Sequence, residues 1–107
     1  MPGIVSILHR VSGLALFLAL PWLLWMLQCS LRSIETYSEL SDNLRLPASK
    51  IFLLAVLWAF LHHFCAGLRY LAIDMHLLHD LAQARNSSKA VMAVSLALTV
   101  IAGVKIW

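Results

Sequence analysis

The chain has 107 residues, of which 62% are hydrophobic and 12% charged, with a formal net charge of +3. A mean hydropathy of +0.86 and so few charges exclude an ordinary soluble domain and identify an integral membrane protein. The small positive charge suits contact with anionic headgroups and points to nothing as specific as nucleic acid.

Three apolar runs, residues 11–30, 51–73 and 90–104, compare with the roughly 20 residues that a helix needs to cross a hydrocarbon core of about 30 Å. They predict an all-α membrane domain occupying residues 1–107, with helix I over about 4–31, helix II over about 48–74 and helix III over about 88–107. Arg10 ahead of the first run raises a cleaved export signal as a rival. No small-x-small site follows, and Gln28 spoils "MLQC" as a lipoprotein box. Pro21 falls inside helix I and predicts a kink. The stretch "LRSIETYSELSDNLRLPASK" is read as the first loop, with Pro47 suited to the opening turn of helix II. "DMHLLHDLAQARNSSK" is read as the second loop, with Asn86, Ser87 and Ser88 as caps for helix III. Trp22, Trp25, Trp58 and Trp107 supply candidate interfacial anchors, Trp107 being the best placed. Cys29 and Cys65 read as packing thiols rather than a disulfide. Charge leaves the orientation open: Arg10, Arg69, Arg85 and Lys89 fall on one side, Arg32, Arg45, Lys50 and Lys105 on the other.

Polar residues inside a hydrocarbon-facing helix are costly, so each turns towards protein, water or a ligand. In "SILHRVSG", residues 6–13, Ser6, His9, Arg10 and Gly13 have the spacing of one helical face. Two readings stand. Arg10 snorkels to lipid phosphate with Ser6 as a plain helix-start residue, or the patch binds an anionic or carbonyl-bearing ligand at the membrane surface.

The second constellation is "HHFCAGLRYLAID", residues 62–74. At about 100° per residue, Gly67, Tyr70 and Asp74 lie within roughly 40° of His63, whereas His62 points about 100° away and aligns with Arg69. His63 lies about 18 Å into helix II, where a neutral imidazole can ligate haem iron without burying charge. Gly67, one turn on, would let a flat macrocycle approach. A hydrogen-bonded packing histidine is the competing reading. With helices I and II antiparallel, His9 is expected level with Tyr70 and roughly 10 Å along the axis from His63. His9 and Arg10 then suit haem propionates at the membrane edge, and a second iron ligand has to come from another subunit. His76 and His79 fall in the polar loop, and a metal carrier built on them with His62 and His63 lacks a carboxylate in the span. Ser95, Thr99 and Gly103 form a small stripe suited to helix packing.

Taken together, these two motifs resemble the cytochrome b membrane-anchor subunit of succinate dehydrogenase, respiratory complex II, over nearly the whole chain. The family's S-x-x-H-R on helix I is matched by Ser6, His9 and Arg10, and its H-x-x-x-G-x-R-H-x-x-x-D on helix II by His63, Gly67, Arg69 and Asp74. The resemblance implies a three-span subunit of a heteromeric helix bundle, with His63 an axial ligand of haem b shared with a second membrane-anchor subunit. It also implies that Ser6 and Arg10 bind ubiquinone beside an iron–sulfur subunit, and that a flavoprotein subunit carries out succinate oxidation. Tyr70 departs from the pattern, standing where the family has a histidine associated with propionates; a phenol donates a hydrogen bond but brings no positive charge. Family members also usually have a longer amphipathic lead-in before the serine. Family topology puts the amino terminus and the second loop in the cytoplasm, and without a transit-like presequence a bacterial inner membrane is expected. The alternative is a haem-free structural anchor of a peripheral dehydrogenase or fumarate reductase.

Overall fold

A computed structural model describes residues 2–77 and 80–106, so Trp107 and His79 lie outside the described residues. Four helices follow one another: α1 (Pro2–Arg32), α2 (Ile34–Leu44), α3 (Pro47–Asp74) and α4 (Leu81–Ile106). Three of them, α1, α3 and α4, are long and apolar enough to cross a membrane, and no strand occurs among the described residues. The chain is a multi-pass membrane protein.

The helices form an elongated body of 55 × 25 × 18 Å in which α3 packs against both α1 and α4. The buried core is small, built on Val5, Ala66 and Val91 with Cys65 and Met92 against it. Bulky apolar side chains such as Phe17, Leu18, Phe60, Phe64 and Val100 point outward, as they do where the surroundings are lipid tails or other helices.

The first connection is not the plain loop expected. Ser33 interrupts the helix and caps the next: its Oγ accepts from the Thr36 amide at 3.1 Å, and Thr36 Oγ1 accepts from the Ser33 amide at 3.1 Å. Thr36 Oγ1 also donates to the Cys29 carbonyl at 2.7 Å, tying the new helix to the last turn of α1. In this way α2 buries Leu40 while Glu35, Glu39 and Asp42 stay exposed. Pro47 occupies the opening turn of α3, as its missing amide favours. Pro21 lies within α1, which continues as helix on both sides of it.

The start of α4 also differs from expectation. Asp80 Oδ1 accepts from the Gln83 amide at 2.7 Å, so the helix begins at Leu81, about two turns before Ser88. Asn86, Ser87 and Ser88 lie inside the helix and cap nothing; Ser88 is fully buried with its hydroxyl on the Arg85 carbonyl at 2.8 Å. Two of the tryptophans likewise serve packing: Trp22 meets Phe52 edge-on at 4.8 Å, and Trp58 lies against His62 at 5.2 Å. Both cysteines are free.

At the end of α3 the Leu77 amide bonds to the Ala72 carbonyl at 2.9 Å and the His76 amide to the Ile73 carbonyl at 3.0 Å, a Schellman closure. It places His76 at φ 60°, a left-handed conformation that costs an L-residue roughly 1–2 kcal/mol. Glycine removes that strain but adds about 0.5–1 kcal/mol of unfolded-chain entropy. His76→Gly is therefore expected to stabilise the protein by about 0.5 kcal/mol, read as a raised unfolding midpoint in detergent.

Candidate functional site

The two sequence motifs meet where α1 packs on α3, and glycines decide how closely. A Cβ added to Gly13 would stand 3.0 Å from His63 Cε1, and one added to Gly67 would stand 3.9 Å from His9 Nε2. Each histidine ring thus lies over the glycine of the opposite helix. The imidazoles stack at 4.3 Å between centroids and 1° between planes, and Tyr70 lies 5.1 Å beyond His9 at 58°. His9 is therefore level with Gly67 and not with Tyr70, an offset of about one turn from the sequence expectation. The offset follows from the ring-over-glycine pairing, which an estimate based on helix ends does not contain.

His63 Nδ1 lies 3.1 Å from the His9 carbonyl and 3.3 Å from Ser12 Oγ, while Ser12 donates to that same carbonyl at 2.9 Å. Nε2 makes no hydrogen bond among the described residues and is not sealed inside the chain. Face-to-face stacking keeps His9 and His63 from gripping one metal ion from opposite sides, since that needs both Nε2 atoms on a common axis through the metal.

Of the other expected site residues, Ser6 is half-buried and Arg10 exposed, and neither side chain takes part in a hydrogen bond or ion pair among the described residues. They remain available at the edge of the span. Asp74 and His76 are exposed at the end of α3. No group of three histidine, cysteine or carboxylate side chains comes together among the described residues.

Three neighbouring polar residues complete the surroundings, of which the sequence pattern singled out His62 and Arg69 and not Ser12. Ser12, 96% removed from solvent, reads in sequence as an ordinary small helical residue. Arg69 is buried, donating from Nε to Ser87 Oγ at 2.9 Å and from Nη2 to the Ala84 carbonyl at 3.3 Å. Its guanidinium carbon lies 5.8 Å from the Tyr70 ring centroid. Arg69 fastens the first turns of α4 to α3, a role visible only once α4 begins at Leu81. His62 is fully buried beside Trp58, and neither of its ring nitrogens nor Trp58 Nε1 has a hydrogen-bond partner among the described residues. Further along the α1–α3 seam, Ala15, Ala19, Ala55 and Ala59 help line an apolar groove of about 350 Å³ that Trp22 and Phe52 also border.

Residues 1–102 match the profile of the succinate dehydrogenase/fumarate reductase transmembrane subunit family. The chain belongs to this family. It is 36% identical over 106 residues to the succinate dehydrogenase cytochrome b556 subunit of Coxiella burnetii, spanning 98% of this chain and 85% of that one. The subunit of the same name from Paracoccus denitrificans is 31% identical over 101 residues, covering 94% and 78% of the two chains. That of Rickettsia felis is 32% identical over 97 residues, covering 91% and 75%.

In this membrane subunit the Arg69 clamp is expected to be structural. Arg69→Ala removes hydrogen bonds from a charged donor, worth roughly 1.5–3 kcal/mol, and should destabilise the helix pair by about that much. Hydrogen exchange checks it: amides of residues 81–88 lose protection while those in the middle of α1 do not.

Proposed function

We propose that the chain is a single-domain membrane anchor of a bacterial succinate dehydrogenase that binds haem b and ubiquinone and joins the catalytic subunits to the inner membrane. The observation that carries this reading is the state of His63: Nδ1 is engaged by a main-chain carbonyl, which leaves Nε2 as the nitrogen open to a metal. Metal-binding histidines are held in this way, with the second ring nitrogen on a carbonyl or carboxylate that fixes orientation. The donor set fits haem iron, and when bound the group supplies a one-electron carrier within the bilayer.

Each residue has a distinct task in this scheme. His63 would supply one nitrogen to the haem iron, and a second membrane-anchor subunit would supply the other. Gly67 seats the His9 ring against the α3 backbone, so the room its missing side chain leaves is taken up by that imidazole and not kept for a flat macrocycle. His9 and Arg10 donate to propionate oxygens, Arg10 with full charge. At the membrane edge the Ser6 hydroxyl donates to a quinone carbonyl, and the exposed Arg10 guanidinium stabilises the negative charge that builds on that oxygen during reduction. Electrons reach the quinone through an iron–sulfur subunit, and a flavoprotein subunit oxidises succinate.

A haem-free anchor of a peripheral dehydrogenase or fumarate reductase is the second reading. It is favoured by the fact that Arg69 is engaged in docking α4.

The deciding experiment is a reduced-minus-oxidised optical spectrum of the purified complex. The wild type should show a b-type haem and His63→Ala should lose it, whereas an unchanged spectrum in His63→Ala removes that residue from iron. Gly67→Ala adds a methyl in ordinary contact with His9, so helix packing and pigment should both be retained. Arg10→Leu should lower quinone reduction by about 10- to 100-fold, the equivalent of a lost charged hydrogen bond, while dye-coupled succinate oxidation is retained.

A further inference from the structure

We propose that Ser12 and Gly13, consecutive residues of α1, form a cradle that sets the tautomer and ring plane of His63, so that its free nitrogen is aimed by the neighbouring helix rather than by α3. The consequence for iron rests on the reading of His63 given above; the cradle does not.

Three short contacts define the proton positions. The His9 carbonyl accepts the Gly13 amide in the helical ladder of α1. It also lies 2.9 Å from Ser12 Oγ and 3.1 Å from His63 Nδ1. A carbonyl oxygen only accepts, so the serine proton goes to it and Ser12 Oγ is left with lone pairs facing Nδ1 at 3.3 Å. The proton of the neutral imidazole then belongs on Nδ1, shared between two acceptors. The opposite tautomer would set the Nδ1 lone pair against the carbonyl oxygen at 3.1 Å. The carbonyl oxygen, with two lone-pair directions, already accepts the Gly13 amide and the Ser12 hydroxyl, so Ser12 Oγ gives the Nδ1 proton a second acceptor.

Gly13 fixes the plane. The space where its Cβ would stand is 3.0 Å from His63 Cε1 and 3.4 Å from Nδ1, so the ring edge reaches the α1 backbone only because no side chain is present. The opposite constraint is the His9 ring, stacked on one face of His63 at 4.3 Å. Edge and face together leave the imidazole one orientation. With the proton on Nδ1, the Nε2 lone pair lies in the ring plane and is directed away from the cradle. Ser12 and Gly13 are positioning residues in this sense, and neither needs to touch a ligand.

The test uses the assembled, reduced complex with only this subunit labelled with [15N]histidine, the His63 resonances being identified by their loss in His63→Gln. The wild type should show a proton on Nδ1 and none on Nε2. Ser12→Ala should shift the Nδ1 signal towards a weaker hydrogen bond, Ser12→Thr should restore it because its hydroxyl can make the same bond, and Gly13→Ala, whose methyl pushes the ring edge off α1, should weaken it likewise. A proton on Nε2 in the wild type overturns the proposal, as does a Ser12→Ala or Gly13→Ala signal superposable on the wild type. If Gly13→Ala prevents assembly, the comparison of Ser12→Ala with Ser12→Thr decides. A His63→Ala complex that kept its haem spectrum would defeat the iron reading alone, while the nitrogen signals would still test the cradle.

Discussion

The reciprocal seating of two imidazoles over two glycines fixes the register of α1 on α3, and most of the molecule follows from it. His63 lies over Gly13 and His9 over Gly67, so each helix offers its narrowest point to the widest polar side chain of the other. In hydrocarbon no water relieves an unpaired ring nitrogen, and a polar group must find its partner within the protein. Close approach makes that possible here, because it brings His63 Nδ1 to a carbonyl of α1 at 3.1 Å. Sliding the helices by one residue, about 1.5 Å, would drive a ring into a neighbouring side chain and lose the hydrogen bond together. Interfaces built on small residues derive their specificity from such packing, since lipid tails offer no hydrophobic penalty for separation.

The adjacent histidines show how one helix divides polar residues between two faces. His63 faces α1 and keeps an open edge, whereas His62 is enclosed on the side that carries Ala59, Ala66 and Arg69. That second face belongs to helix docking. Arg69 is buried without a carboxylate partner among the described residues and is held by Ser87 and the Ala84 carbonyl. A guanidinium in such a place is costly unless its donors are engaged, and the polar first turns of α4 supply the acceptors. The unusual early start of α4 and the buried arginine are therefore one feature.

Hydropathy made the three spans legible, and helical periodicity placed His9 and His63 on the faces that the structure brings together. Chain order was enough for both. The start of α4 was missed because residues 81–89 are too polar to register as a span, although Asp80 followed by Gln83 carries the spacing of an N-terminal capping signal. The same blindness hid α2: a segment with Glu35, Glu39 and Asp42 reads as loop by hydropathy, while Ser33 and Thr36 close a cap whose partner is threonine rather than the usual glutamate or glutamine. Trp58 and Trp22 read as interfacial by residue type, and their actual partners, His62 and Phe52, depend on tertiary contacts that no local pattern encodes. Ser12 was invisible for a related reason. A serine in mid-helix usually bonds back to its own carbonyls, and Ser12 does so; its second contact exists only once α3 is in place.

The first turns of α1 then join two environments along a single face. Ser6 is half-buried and Arg10 exposed near the start of the apolar span, and the His63 ring lies over Gly13, seven residues beyond Ser6. Seven residues of helix span about 10 Å. A carbonyl ligand held by the hydroxyl and guanidinium at the outer end and a metal held by the imidazole at the inner end would be separated by no more than two turns of one rigid element. Charge favours the outer position, where water and headgroups solvate Arg10, and neutrality favours the inner one, where an imidazole supplies a lone pair without an ion. The same gradient from solvated to dry surroundings therefore sorts the two sets of side chains, and α1 keeps them in line.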